Sequence, residues 1–167
     1  MKPEYFGDSY DIVKRFFVEI LSASGYHVNV NPMLRGEWNG REKDFYRFIK
    51  ASPDPNNIPG QKKALLIDPD TGISERKTVR HVTVECIAES LLDHDIVCSF
   101  DQSFQRGKDP LAEIKNKLLR LNKTGNFGFY YNSHARFLFA SKSKNLLDEI
   151  ERKLLKTGLP SSRLVKI

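Results

Sequence analysis

The chain runs to 167 residues and 19.2 kDa, enough for one domain around one core and too short for two full domains with a long linker. Apolar residues make up 40% and charged residues 29%, with 11 Phe and 6 Tyr, a composition that excludes a charge-dominated tail and predicts a packed fold. No apolar run approaches the roughly 18 residues of a membrane span, and Met1-Lys2-Pro3-Glu4 has neither the basic start nor the apolar stretch of a signal peptide, so no membrane partner and a cytoplasmic location are expected.

The first helix is predicted from Ser9 to Ser24. Asp8 or Ser9 caps it, Ile12, Phe16 and Ile20 with Val13, Phe17 and Leu21 form a wide apolar stripe, and Gly25 supplies the left-handed stop. A strand follows at Tyr26–Val30, then a shorter helix between Gly36 and Ala51 around Phe45, Phe48 and Ile49; the proline-rich stretch from Ser52 to Gly60 reads as a loop. Ala64–Ile67 is apolar on both faces and ends in Asp68-Pro69-Asp70-Thr71-Gly72, the pattern of a strand buried between two helix layers. A helix is expected from Val82 to Leu92 despite the β-branched Val82, Thr83 and Val84, and Asp95–Phe100 repeats the buried-strand pattern before Asp101-Gln102-Ser103. Pro110 to Thr124 is a helix with Pro110 in its first turn, Leu111, Ile114, Leu118 and Leu121 on one face, and Gly125 as its cap. Asn126–Tyr131 and Arg136–Ala140 read as strands separated by Asn132-Ser133-His134-Ala135. Ser143–Thr157 reads as an amphipathic helix and Arg163–Ile167 as a last strand. Cys86 and Cys98 lie in apolar segments without CxxC spacing, as buried thiols would.

Helices and strands alternating through short joints predict an α/β three-layer sandwich with a mostly parallel sheet and an antiparallel edge, one domain over residues 1–167. In such sheets ligands gather beyond the carboxyl ends of the strands. That rule selects Asn31 to Met33, Asp68 and Asp70, Asp101 to Ser103, and Asn132 to His134 if Asn126–Tyr131 runs parallel to its predecessors. Should Asp68, Asp70 and Asp101 meet, their repulsion calls for a compensating cation, and an oxygen-only ligand set suits Mg2+ or Mn2+, which would orient and neutralise a phosphate ester. Asp-Pro-Asp-Thr-Gly is equally a turn sequence. His134 has the chemistry of a general acid or base, with Ser133 beside it as a donor, although a polar hairpin tip accounts for both. Asp8 reads as a helix cap and Asp11 with Lys14 as a surface pair; if the edge is a site, Lys14, Gln102, Ser103 and Ser133 are its substrate contacts. His27, His81 and His94 lack metal-ligand spacing.

Taken in order, Tyr5-Phe6-Gly7-Asp8-Ser9-Tyr10-Asp11-Ile12-Val13-Lys14-Arg15, Leu66-Ile67-Asp68-Pro69-Asp70-Thr71-Gly72, Ser99-Phe100-Asp101-Gln102-Ser103, Ser133-His134-Ala135 and Gly158-Leu159-Pro160 resemble a family of small uncharacterised prokaryotic proteins along nearly the whole chain. That family has no known activity, so the resemblance implies no catalytic assignment. Over a few residues, Asp68-Pro69-Asp70 also resembles the Asp-x-Asp of topoisomerase–primase domains and of haloacid-dehalogenase-like phosphatases. The first needs a preceding strand glutamate that has no counterpart here, and the second normally opens its domain. The same segment is similar to the Asp-Pro-Pro-aromatic of class I methyltransferases, but no glycine-rich loop for S-adenosylmethionine precedes it, and no nicotinamide motif is present. Gly125-Asn126-Phe127-Gly128-Phe129 resembles the base-stacking strand of RNA-recognition domains; burial under a helix layer explains its aromatic stripe better.

Two functional readings result. The first is metal-assisted hydrolysis or transfer at a phosphate ester, in nucleic acid or another phosphorylated ligand, with Asp68, Asp70 and Asp101 around Mg2+ or Mn2+ and His134 moving the proton. The net charge of +6 would steer such a polyanion, although solvated helix faces explain the scattered cations better. The alternative is a non-catalytic module that holds nucleic acid or a protein on the same edge. A purely structural reading, in which these residues are turns and caps, stands beside both.

Overall fold

The computed structural model describes residues 2–54, 60–104 and 107–167. Asp8 caps helix α1 (Ser9–Ala23), its carboxylate accepting the amide protons of Tyr10 and Asp11. Phe17, Val18 and Leu21 turn inward, and Gly25 leaves the helix at a φ of +86°. There follow β1 (Tyr26–Asn31), α2 (Glu42–Ile49), β2 (Ser52–Pro53), β3 (Lys62–Ile67), β4 (Gly72–Ile73), β5 (His81–Val82), α3 (Val84–Ser90) and β6 (Ile96–Phe100). The chain closes with α4 (Pro110–Lys123), β7 (Phe127–Tyr131), β8 (Phe137–Ser141), α5 (Lys144–Lys156) and β9 (Leu164–Val165). Residues 55–59 of the expected loop lie outside the described residues; its first two residues form the short edge strand β2.

Seven strands form one sheet in the order β2-β1-β3-β6-β8-β7-β9. The first four are parallel, and β8, β7 and β9 continue the sheet as an antiparallel edge. The two-residue period of a strand sends alternate side chains to opposite layers. In β3, Ala64 and Leu66 pack with α1, α2 and α5, whereas Leu65 and Ile67 pack with α3 and α4. In β6, Ile96, Cys98 and Phe100 face the first layer and Val97 the second. The result is the expected three-layer sandwich, with a Rossmann-like layout. Phe129, Phe137 and Phe139 are buried beneath α1 and α5, with Phe17 edge-on to Phe137 and Phe139, so this stripe belongs to the core. Cys98 is buried, Cys86 half-buried, and both are free thiols.

Two expectations change. The helix expected from Val82 begins at Val84, because His81 and Val82 instead pair with Gly72 and Ile73 in a separate two-stranded sheet. The helix expected between Gly36 and Ala51 is confined to Glu42–Ile49, where Phe45 and Ile49 reach the core. Among the described residues, no helix is long and apolar enough to cross a membrane.

Candidate functional site

The chain leaves β1 through α2 on one face of the sheet toward β2, and leaves β3 through α3 on the other face toward β6. These diverging exits open a crevice beyond the carboxyl ends of the parallel strands. The sense of β7 matches that of β6, since both are antiparallel to β8, so the turn at Asn132–Ala135 lies at the same edge. Here Lys14, Asp68, Asp70 and Gln102 line one pocket of about 330 Å3, together with Tyr5, Asp8, Tyr10, Pro69, Arg80 and Phe100.

At its buried end stands an ion-paired triad. The Lys14 ammonium donates to Asp11 Oδ1 and to Asp68 Oδ2, both at 2.8 Å, and lies 5.2 Å from the centre of the Phe100 ring. Exposure of the three residues is 0% for Asp11, 3% for Lys14 and 1% for Asp68, so the expected surface pair is in fact a buried one. Burial pulls the Lys14 pKa down, but Asp68 and Asp11 outweigh it and hold the ammonium above its ordinary value. Burial dominates at Asp68 and pushes its carboxyl up, against the pull of Lys14. With all three ionised, the triad carries two negative charges and one positive.

Asp70 belongs to a different arrangement. Its Oδ2 accepts from Arg35 Nη1 at 2.7 Å and from Arg80 Nε at 3.1 Å. Burial works to raise its pKa, and the Arg35 hydrogen bond, the charge of the chain's N-terminus and the charge of both guanidinium groups bring it below the ordinary carboxylate value.

Asp101 forms a third cluster, directed into the protein. Its Oδ1 accepts from the backbone N–H of Ile73 at 2.9 Å and of Ser103 at 3.1 Å, and its Oδ2 from Lys117 Nζ at 2.6 Å and the Tyr130 hydroxyl at 2.9 Å. The Ser103 hydroxyl lies between Asp101 Oδ1 and the Ile73 carbonyl oxygen. Burial, with Asp101 beside it, pushes the Tyr130 phenol well above its ordinary pKa and keeps it a donor. Gly72 makes this approach feasible: at its φ of +121° any β-carbon would collide with the Asp101 carboxylate and the Gln102 nitrogen. Asp101 and Ser103 thus fasten β6 to β4, α4 and β7. A larger groove of about 490 Å3 beyond this cluster is bordered by Ser103, Lys117 and Arg120, but Lys117 is matched by Asp101 and Arg120 by Glu85.

The expected convergence of Asp68, Asp70 and Asp101 on one metal ion does not fit this geometry. Each carboxylate is held by a different cationic side chain, and among the described residues no three His, Cys, Asp or Glu side chains gather as a metal-holding group. Ser133 is spent on its own turn, bonding to Ala135 on both sides of the hydroxyl. His134 is exposed and meets the pocket at its border, its ring 5.6 Å from that of Tyr10 and its backbone carbonyl oxygen accepting from the Gln102 side-chain amide. Sequence reasoning missed Arg35, Arg80 and Tyr10 as site residues. No family model, curated protein or solved structure matches the chain, so the functional reading rests on the residues themselves.

Proposed function

We propose that the pocket over Lys14 and Asp68 is the active site of an enzyme that cleaves or transfers a phosphate ester, with Asp68 as the proton-transfer residue and Lys14 as the residue that positions it. The observation that supports this most is the triad itself. Two carboxylates sharing one ammonium out of water is a costly arrangement for stability, and apolar packing would serve the core as well or better. Its value lies in Asp68, a buried carboxyl whose pKa is displaced upward and which lines a pocket at the strand ends.

In the hydrolytic form, the Asp68 carboxyl gives its proton to the leaving oxygen as the ester P–O bond breaks. The water that forms the new P–O bond returns a proton to the carboxylate. Lys14 stays protonated throughout and keeps the emerging carboxylate in place.

The test is turnover of aryl phosphate mono- and diesters and of short DNA and RNA by wild type and Asp68→Asn, with Mg2+, with Mn2+ and in chelator. A loss of about 10²–10⁴-fold in Asp68→Asn is expected for a proton-transfer group. Salt-sensitive binding of nucleic acid without turnover, unchanged by Asp68→Asn, would instead favour the binding module. Turnover seen only with Mg2+ or Mn2+ would favour the metal-assisted form, with the ion brought by the substrate phosphate.

A further inference from the structure

We infer that Arg80 is the residue that holds the phosphoryl group in this pocket and that the ester is a phosphodiester rather than a monoester, an assignment that rests on the pocket being the working site. One short segment positions both groups the reaction needs. Asp68 stands at the end of β3, and the two residues after Pro69 anchor Arg80. The Thr71 N–H and hydroxyl both donate to the Arg80 carbonyl oxygen at 3.1 Å, and Asp70 Oδ2 accepts from Arg80 Nε at 3.1 Å. Arg35 does not line the pocket; it donates to the same Asp70 oxygen at 2.7 Å and holds that carboxylate in place. Proton-transfer residue and guanidinium thus line one pocket of about 330 Å3 from a single anchored turn.

Among the described residues, the cations lining the pocket are Lys14 and Arg80. Lys14 is taken by Asp11 and Asp68 and lies against the Phe100 ring. Arg80 is fixed through its backbone and Nε, its side chain remains 52% exposed, and its terminal nitrogens make no hydrogen bond among the described residues. A guanidinium oriented on one edge, with N–H groups left on the other, matches the non-bridging oxygens of a phosphate. With those oxygens on Arg80, an ester oxygen of the same phosphate is left to face the Asp68 carboxyl, as the proton transfer requires. The charge around the pocket then selects the kind of phosphate. Four carboxylates, Asp8, Asp11, Asp68 and Asp70, stand against Lys14, Arg35, Arg80 and the charge of the chain's N-terminus, which acts on Asp68 and Asp70. Asp68 begins the reaction protonated, so the balance is at most one positive charge. A monoester, with about 1.5–2 negative charges at pH 7, exceeds that balance beside Asp8 and Asp70. A diester, with a single charge per phosphate, is matched by it.

Two measurements on the full chain test this: kcat/KM for bis(nitrophenyl) phosphate and nitrophenyl phosphate, and calorimetric binding of diphenyl phosphate and phenyl phosphate to Asp68→Asn, whose neutral amide stands in for the protonated carboxyl. The diester is expected to be favoured at least tenfold in both. Arg80→Ala, an exposed change that leaves the core intact, should lower diester turnover about 10²-fold and weaken diphenyl phosphate about tenfold, and Arg80→Lys should recover part of each. Asp70→Asn removes the anchor of Arg80 and one negative charge, so it should slow the diester and narrow its advantage over the monoester; a merely structural Asp70 would slow both alike. Inhibition of diester turnover by a short oligonucleotide would assign the diester to a nucleic-acid backbone, and its absence to a small diester, the class standing in either case. A monoester handled as well as the diester, or diester binding and turnover unmoved by Arg80→Ala, would overturn the inference. The two proposals fail separately. Arg80-dependent diester binding without turnover removes only the catalytic reading, and Asp68-dependent turnover indifferent to Arg80→Ala removes only the role of Arg80 and the preference drawn from it.

Discussion

Two buried lysine–aspartate clusters lie at the same edge of the sheet, and they solve the problem of a buried charge in opposite ways. Around Asp101, donors are in surplus: two backbone amides, a phenol and an ammonium converge on one carboxylate. Around Lys14 the acceptors are in surplus: two carboxylates share one ammonium, Asp11 also accepts from the Gly7 N–H, and the ammonium serves Asp68 through a single oxygen. A saturated carboxylate has no capacity left for a ligand and serves as a rivet between elements. A carboxylate short of positive charge, beside a cavity, holds its proton more tightly and has something to exchange. Among residues of the same type at equivalent strand ends, the count of donors separates structure from chemistry.

The sharpest test of that contrast is removal of the two lysines' partners or of the lysine itself. Lys14→Met leaves Asp11 and Asp68 buried with no counter-cation and should cost about 3–5 kcal/mol at neutral pH, measured by urea unfolding. Part of the loss should return on acidification, as the Asp68 carboxyl, already raised by burial, takes up a proton. Asp101→Asn should cost somewhat less, roughly 2–4 kcal/mol. The amide still accepts from Ile73, but its NH2 then confronts Lys117 or Tyr130, and Lys117 keeps some access to water at 12% side-chain exposure. A larger loss in Asp101→Asn than in Lys14→Met would break the comparison.

The scaffold of this edge is legible in the sequence because its signals are local. The Asp8 cap, the apolar spacing through Leu21 and the stop at Gly25 specify α1 within a few turns, and the two-faced apolar runs at Ala64–Ile67 and Ile96–Phe100 mark strands covered on both sides. The strand-end rule then finds Asp68, Asp70 and Gln102 at the pocket. Long-range partners are what it misses. Asp11 and Lys14, three residues apart on a helix, have the pattern of a solvated pair, and only Asp68, 54 residues beyond Lys14, makes them a buried triad. Arg35 and Arg80 come from irregular segments with no periodicity to flag them. Val82 leaves the expected helix because it has Ile73 to pair with, while its β-branched neighbours Thr83 and Val84 cap and open that helix.

The mildest consequence concerns Asp68 and Asp70, two residues apart and opposite in their response to acid. Asp70 has a folded pKa below its unfolded one, so its contribution is complete above the unfolded value of about 3.9 and disappears as pH falls through the depressed folded value. Its partners are partly exposed, and screening limits that contribution to about 1 kcal/mol. Asp70→Asn should therefore be less stable than wild type by about that much at pH 7, and the gap should close once the pH is below the folded value. Asp68 has a folded pKa above its unfolded one; what it contributes is present below about pH 3.9 and is lost as pH rises through the folded value. The difference between Asp68→Asn and wild type should thus move the other way, with the mutant gaining relative stability as pH rises toward neutrality. Unfolding free energies of the three proteins from pH 3 to pH 8 would read both slopes, and parallel slopes for the two variants would mean that the two aspartates do not differ in the way their donors imply.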